Sequence, residues 1–217
     1  MIDHSLLRAD ATNEDLIKLC QEARDKDFKM VAVNSIAVKL CVEILKNSSV
    51  HVGAAVGFPL GQTTIAVKVF ETAEAIKEGA DEIDYVVNLT EVKAGNWSYI
   101  TEEMRSIVDL CKASDIIVKV ILENCYLTKE EMIKLCEIAR EVKPDFVKTS
   151  TGFGPGGAKA EDVRLMKETV GDVCEVKAAG QIRDWPTCRE MIAAGATRIG
   201  TSSSLAILTG YDKENSR

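Results

Sequence analysis

The feature that most constrains the fold is an alternation of two kinds of segment. Short apolar segments, each of a length suited to a strand, alternate with longer amphipathic segments eight times along the chain. Buried parallel strands are apolar on both faces, whereas surface helices repeat their apolar residues every three to four positions. Chains that alternate in this way build a parallel sheet covered by helices. The predicted strands span residues 2–7, 29–34, 51–58, 82–88, 116–123, a segment beginning at 146, 174–180 and 198–202.

The predicted helices fill the intervals between these strands. Thr12 and Asp15 form a capping-box pattern at the first helix, Thr128 caps a later one, and Gly79 suits a helix end. The tail from about residue 210 is polar, and we expect it to be flexible. The predicted helices span residues 12–26, 36–46, 64–79, 97–113, 128–142, 161–170 and 185–194, with a short one near 205.

Eight evenly spaced units predict an α/β fold of the (β/α)8, or TIM barrel, type, formed by residues 1–217 as a single domain. No linker or change of composition divides the chain. The sequence at 79–83, which ends one helix and starts the next strand, is echoed at 195–199. A doubly wound open sheet is the alternative, but the spacing shows no crossover break, so we expect the barrel.

Composition excludes several classes of function. The net charge of −7 and a pI near 5.1 argue against broad binding to nucleic acid or to anionic membranes. No apolar run is long enough to span a membrane, and the start of the chain lacks a signal-peptide pattern. Seven cysteines occur singly and His4 and His51 have no ligand spacing, so we expect a cytoplasmic protein without a metal or cofactor.

Four neighbouring strands each carry an ionisable residue in mid-strand. Side chains alternate between the two faces of a strand, so Asp84, Lys119, Lys148 and Lys177 can all point into the barrel, toward the half where active sites lie. An interior ion-pair network that only fills the barrel is the alternative. Three ammonium groups around one carboxylate leave excess positive charge, which favours a neutral amine on one lysine.

Lys148 is the candidate nucleophile because it interrupts an apolar strand in the segment from Asp145 to Phe153. A neutral lysine can form a Schiff base with a carbonyl compound. Lowering its pKa from about 10.4 to near 7 requires roughly 4–5 kcal/mol of differential interaction. The alternative is a strand-end lysine whose ammonium reaches water. The spacing indicates that one lysine is neutral but does not identify which one.

The ends of the seventh and eighth strands predict a phosphate site. Small residues and backbone amides occur there at two helix entrances, a position where barrels often bind phosphate, and Arg183 adds a charged fork. Two ordinary capped turns are the alternative. The residues concerned are Gly180, Arg183, Ser202 and Ser203.

Other polar residues carry weaker signals. Asp3 and Ser5 on the first strand and Asn34 on the second can hydrogen-bond substrate hydroxyls, or can serve as caps and turn residues. The glycines at 152–157 match the GxGxxG pattern, but they follow the sixth strand and include Pro155. We therefore favour a lid or turn beside Lys148 over a dinucleotide site.

Seven short motifs are spread along almost the whole chain. They are IDHSLL at 2–7, VGFPLG at 56–61, DEIDYVVN at 81–88, VKVILE at 118–123, VKTSTGF at 147–153, KAAGQIR at 177–183 and RIGTSSS at 198–204. Taken together, these motifs resemble the deoxyribose-phosphate aldolase family over residues 2–208. The resemblance implies a (β/α)8 class I aldolase, without metal or cofactor, that interconverts 2-deoxy-D-ribose 5-phosphate with acetaldehyde and D-glyceraldehyde 3-phosphate in sugar catabolism.

The resemblance also implies roles for particular residues. It makes Lys148 the Schiff-base lysine, Lys177 the second lysine that lowers the pKa of Lys148, and Asp84 the acid that transfers protons with Lys177 and water. The implied partners are a phosphorylated sugar and aldehydes, and the sequence leaves the oligomeric state open, with a homodimer as one option. The implied substrate contacts are Gly180, Arg183, Ser202, Ser203, Thr149, Asp3, Ser5 and Lys119.

The chain departs from the family pattern at four positions. Gln181 stands where a second glycine is usual, which puts a side chain where the backbone approaches the phosphate. Ser204, Ala32 and Ser35 replace a glycine, a cysteine and a proline. Tyr211 is not terminal, so we assign it no role. An aldolase for a smaller or non-phosphorylated aldehyde, and a non-catalytic phosphosugar-binding barrel, are the competing hypotheses.

Overall fold

The computed structural model describes residues 1–216, which form a closed barrel of eight parallel strands surrounded by helices. The strand order around the barrel is the order in the chain, and this confirms the predicted (β/α)8 architecture. The strands are β1 Ile2–Leu6, β2 Met30–Asn34, β3 His51–Val56, β4 Glu82–Val86, β5 Ile117–Ile121, β6 Phe146–Lys148, β7 Glu175–Ala179 and β8 Arg198–Thr201.

Nine α-helices lie in the described residues. They are α1 Asn13–Asp25, α2 Val38–Leu45, α3 Ile65–Lys77, α4 Leu89–Lys93, α5 Trp97–Ala113, α6 Lys129–Val142, α7 Ala160–Val170, α8 Trp185–Ala193 and α9 Ser204–Asn215. The capping boxes at Thr12 and Thr128 form as expected, because each hydroxyl accepts a backbone N–H and each third-position carboxylate bonds back.

Two helices differ from the expectation. The fourth strand was predicted to end at Asn88, and α4 was not predicted, because five residues give no readable helical period. Asn88 instead caps α4 by accepting from Thr90 N at 3.1 Å. The helix near Leu205 was expected to be short, yet α9 continues to Asn215 and includes the tail from Gly210. Its flexibility stays a prediction.

The core lies between the barrel and its helices. Outward-facing strand residues such as Val31, Val33, Val118 and Val120 are fully buried against the helical layer. Inside the barrel, the charged residues take the place of the apolar layers that usually fill it. Closure between β1 and β8, with Asp3 opposite Gly200, brings the two ends of the chain together around these charges.

All seven cysteines are free thiols, and only Cys125 is less than fully buried, which fits the prediction that they pack as small apolar residues. None of the helices within residues 1–216 is both long enough and apolar enough to cross a membrane.

Candidate active site

A cavity of about 320 Å³ opens at the carboxyl ends of β1, β6, β7 and β8, the face where barrel enzymes place their active sites. Lys148, the last residue of β6, lies on its wall and is only 4% exposed. The other lining residues are Ser5, Leu6, Leu7, Arg8, Thr151, Gly152, Phe153, Ala179, Gly180, Gln181, Ile182, Arg183, Gly200, Thr201 and Ser202.

Three lysines converge on the carboxylate of Asp84. Lys148 Nζ and Lys177 Nζ both donate to Oδ2, at 2.8 and 2.7 Å, and Lys119 Nζ donates to Oδ1 at 2.7 Å. All four side chains are buried. The structure thus brings together the four inward-facing charges that the sequence predicted.

Three further charged residues, which the sequence analysis did not assign to this cluster, lie directly beneath it. Asp3 Oδ2 is 2.5 Å from Lys177 Nζ, and Glu82 Oε2 is 2.5 Å from Lys119 Nζ. Arg198 Nη1 joins these two carboxylates, donating to Asp3 Oδ1 at 2.9 Å and to Glu82 Oε2 at 3.0 Å. The guanidinium also lies over the ring of Phe146, 5.1 Å from its centroid.

Glu82 extends the cluster toward the amino-terminal end of the barrel. His51 Nδ1 lies 2.7 Å from Glu82 Oε1, and the other ring nitrogen lies 3.2 Å from Lys29 Nζ. The His51 side chain is 29% exposed, so solvent reaches this end of the cluster. Glu82 lies two residues before Asp84 on β4 and therefore on the same strand face, and this spacing could have predicted that Glu82 joins the cluster.

Burial and neighbouring charges act on the cluster in opposite directions. Burial lowers the pKa of Lys148 to about 8. The carboxylate of Asp84 acts to raise this pKa, and the positive charge of Lys177 acts to lower it. Although burial favours the neutral acid, the three lysines hold the pKa of Asp84 well below its usual range. Burial likewise opposes the charge on Lys119, but Asp84 and Glu82 outweigh it and raise the pKa of that lysine.

Three of the four residues predicted to bind phosphate line the same cavity as Lys148, and one does not. Gly180, Arg183 and Ser202 line the cavity. Ser203 does not; its N–H donates to Thr201 Oγ1 at 2.9 Å, and it precedes α9 without capping that helix through its side chain. The uncapped start of α9 therefore follows directly after the cavity wall.

Gln181 lines the cavity with its backbone in the left-handed region, at φ +60°, next to Gly180 at φ +86°. This is a backbone conformation that glycine adopts at little steric cost. A β-carbon at nearby Gly157 would come within 2.3 Å of Gly180 O, so the two loops pack backbone against backbone.

Besides Ser203, three predicted substrate contacts do not reach the cavity wall. Asp3 and Lys119 are fully buried in the ion network, and Thr149 bonds the backbone of β7, donating to Ala179 O at 3.0 Å and accepting from Ala179 N at 3.1 Å. Thr149 points outward because it follows the inward-facing Lys148. Ser5 does line the cavity, whereas Asn34 donates to Leu7 O at 3.3 Å.

The loop after β6 is held by a residue that sequence analysis did not single out. Glu123 is 2% exposed, accepts from Thr151 N at 3.1 Å and also bonds the Thr151 hydroxyl. Thr151 Oγ1 in turn accepts from Phe153 N at 3.0 Å. Burial raises the pKa of Glu123. The backbone of Glu123 is left-handed, at φ +57°, which was not readable from sequence.

A second, more apolar cleft of about 620 Å³ adjoins the cavity and shares Thr151 and Phe153 with it. Leu60, Leu89 and Tyr126 also line it. Phe153 packs edge-on against Phe58, with ring centroids 5.3 Å apart. The glycine-containing loop from 152 therefore separates two openings on the same face of the barrel.

Histidine, cysteine and carboxylate side chains in the described part of the chain form no group of three or more arranged to hold a metal ion. The cluster around Asp84 instead pairs its carboxylates with lysine and arginine.

A (β/α)8 barrel with a buried lysine of lowered pKa at the carboxyl ends of its strands offers the kind of nucleophile that Schiff-base chemistry requires. The family model for DeoC/LacD family aldolases matches residues 1–209. The chain belongs to this family.

Relatives with assigned names agree with this membership. The deoxyribose-phosphate aldolase of Lactobacillus acidophilus is 56% identical over 207 residues, covering 95% of this chain and 87% of the relative. That of Thermococcus gammatolerans is 51% identical, covering 96% and 94%.

Solved structures show the same similarity in three dimensions. The aldolase QR15 superposes with a TM-score of 0.92 at 38% identity, covering 98% of this chain and 95% of that one. The deoxyribose phosphate aldolase of Aeropyrum pernix, described as having a unique tetrameric structure, superposes with a TM-score of 0.91 at 31% identity, covering 98% and 90%.

Proposed function

We propose that the protein is a class I aldolase that reversibly cleaves 2-deoxy-D-ribose 5-phosphate to acetaldehyde and D-glyceraldehyde 3-phosphate. The observation that carries this proposal is Lys148, a buried lysine with a pKa of about 8 on the wall of a cavity that is also lined by Arg183 and Ser202, which precede helices α8 and α9. Relatives about half identical to this chain bear the name of that enzyme.

Lys148 supplies the nucleophile. Its neutral amine attacks C1 of the open-chain sugar, and loss of water leaves an iminium ion. The iminium accepts the electron pair of the C2–C3 bond, so that bond breaks and an enamine forms between C1 and C2. C3 becomes the aldehyde carbon of D-glyceraldehyde 3-phosphate. At pH 7 a pKa of about 8 leaves roughly a tenth of Lys148 neutral, against less than a thousandth for an ordinary lysine.

Asp84 and Lys177 move the protons. Cleavage requires removal of the proton from the 3-hydroxyl, and the enamine must then take up a proton at C2 before hydrolysis releases acetaldehyde. Asp84 Oδ2 accepts hydrogen bonds from both Lys148 and Lys177, so it links the reacting nitrogen to a second proton carrier. Lys177 also adds positive charge beside Lys148 and so favours the neutral amine.

Arg183 and the start of α9 bind the phosphate. Arg183 provides the charged side chain, and the start of α9 beyond Ser202 provides the positive end of a helix. Ser5 also lines the cavity and can bond a sugar hydroxyl. We assign Asp3, Lys119 and Thr149 to holding the site in shape, since each is fully buried and bonded within the protein.

Trapping identifies the nucleophile directly. Acetaldehyde with borohydride should add one ethyl group to the protein, at Lys148, and Lys148→Ala should abolish the adduct while the circular dichroism spectrum stays unchanged. An adduct on Lys177 would overturn the assignment. Cleavage of deoxyribose 5-phosphate, followed by reduction of the released aldehyde, then tests the reaction itself.

Gln181 favours a second candidate, an aldolase for a smaller or non-phosphorylated aldehyde, because its side chain lies on the wall where phosphate would bind. Comparing kcat/KM for deoxyribose 5-phosphate and for deoxyribose separates the two candidates. We expect the phosphorylated sugar to be preferred by at least about tenfold, the effect of one charge-assisted hydrogen bond. Equal values would establish the second candidate.

A further inference from the structure

Six of the charged residues inside the barrel form a closed ring of alternating sign. Each member contacts two others of opposite charge, and every contact is 3.0 Å or shorter. Followed in order, the ring runs through Asp84, Lys119, Glu82, Arg198, Asp3 and Lys177, and Lys177 returns to Asp84.

Lys148 is attached to this ring but is not a member of it. The ring contains three cations and three carboxylates, so it is neutral by itself. Lys148 contacts only Asp84 and is the one extra cation. It is also the member of the cluster that lines the cavity. Losing a proton from Lys148 removes the excess charge without breaking the alternation.

We propose that Arg198 is a positioning residue that completes the ring and thereby leaves Lys148, rather than Lys119 or Lys177, as the amine that can lose its proton. Arg198 is buried beneath the site and does not line the cavity, so it acts through the ring. This inference rests on the proposed function only in taking Lys148 as the reacting group.

Few charged groups on neighbouring elements face Lys148 and Arg198. Asp84, Lys119 and Lys177 face Lys148, and Glu123 at the end of β5 also feels its charge. Around Arg198 lie Asp3, Glu82, the Phe146 ring and the amino terminus at Met1. His51, with Lys29 behind it, contacts Glu82.

Replacing Arg198 by an uncharged residue tests the charge balance. Arg198→Met leaves three lysines and three carboxylates, which balance only when Lys148 keeps its proton. The acid limb of the pH profile of kcat/KM should therefore move to higher pH by about one unit, with activity restored at high pH. Arg198→Lys keeps the charge and should leave the limb near its original position.

The double variant Glu82→Gln/Arg198→Met makes the sharpest comparison. Two carboxylates and three lysines restore one excess positive charge, so the limb should return toward its original pH. If Arg198 had only a structural role, replacing it would lower the maximum kcat/KM and leave the pH of the acid limb unchanged. An unmoved limb in Arg198→Met, or a shifted limb that the double variant does not reverse, would overturn the proposal.

Two further measurements keep the test independent of folding and of the reaction. If Arg198→Met does not fold, Glu82→Gln alone raises the excess charge and should move the limb to lower pH, and an unmoved limb would refute the idea. Reductive methylation of Lys148, followed by peptide mass spectrometry across pH, reports its protonation even if the protein cleaves no deoxyribose phosphate. His51→Gln removes the imidazole that contacts Glu82 and should not move the limb.

Discussion

Replacing Gln181 by glycine tests how the phosphate end of the site works. At φ +60° the glutamine occupies a region that disfavours side chains by about 1 kcal/mol, and its β-carbon lies at the backbone that a phosphate would approach. Glycine removes both the steric cost and the side chain. We expect Gln181→Gly to lower KM for deoxyribose 5-phosphate and to leave KM for deoxyribose nearly unchanged.

The size of the effect follows from one hydrogen bond. If the backbone N–H gains a charge-assisted hydrogen bond to the phosphate, the gain is roughly 1.5–3 kcal/mol, which is at least about a tenfold lower KM. Stability should change little, because the relief of about 1 kcal/mol is offset by the greater freedom of glycine in the unfolded chain, worth about 0.5–1 kcal/mol.

Two matched variants separate the causes. Lys143 has nearly the same backbone, φ +63°, at the exposed end of α6, so Lys143→Gly should reproduce the small stability change without altering KM. Gln181→Ala removes the amide but keeps the β-carbon. If alanine and glycine lower KM equally, the size of the glutamine side chain, rather than the distance between the backbone N–H and the phosphate, accounts for the effect. Equal effects on both substrates, or none on either, would refute the reasoning.

Three other variants test the charged interior. Lys177→Leu should reduce kcat/KM severely near neutral pH and move the acid limb of its pH profile to higher pH, because Lys148 loses the neighbouring charge that favours its neutral form. An unmoved limb would show that Lys177 does not lower the pKa of Lys148. Asp84→Asn should lose turnover but still form the borohydride-trapped adduct slowly, so fast turnover would show that Asp84 does not transfer protons. Lys68→Met should lower the free energy of unfolding, measured in urea, by about 3–5 kcal/mol, because Lys68 Nζ pairs with the buried Glu103 at 2.6 Å and its removal leaves that carboxylate unpaired. The double variant Lys68→Met/Glu103→Leu leaves no buried charge at this pair, so its free energy of unfolding should fall by less.

The barrel was predictable because its signal repeats eight times. Even β6, which has only three residues, was placed by the regular spacing of its neighbours and by Lys148. Helix α4 was not predictable, since its five residues are too short for a period and Asn88 reads equally as a strand end or a cap. Sequence periodicity therefore locates elements of ordinary length and misses single turns.

The ion ring shows a different limit. Asp84 and the three lysines were predicted to meet because they lie on consecutive strands with the same alternation. Asp3 and Arg198 are 195 positions apart and meet only because β1 pairs with β8. Their contact depends on the register at which the barrel closes, and strand alternation alone does not specify that register.

The carboxylate contacts in the barrel also distinguish the three lysines in the proposed mechanism. Strand alternation alone places all three around one carboxylate and does not identify which one is neutral. In the structure Lys119 contacts Asp84 and Glu82, and Lys177 contacts Asp84 and Asp3, whereas Lys148 contacts Asp84 alone. An ammonium with two carboxylate partners loses more on deprotonation than one with a single, shared partner. The proposed reactivity of Lys148 therefore depends both on its having a single carboxylate partner and on the cations around it.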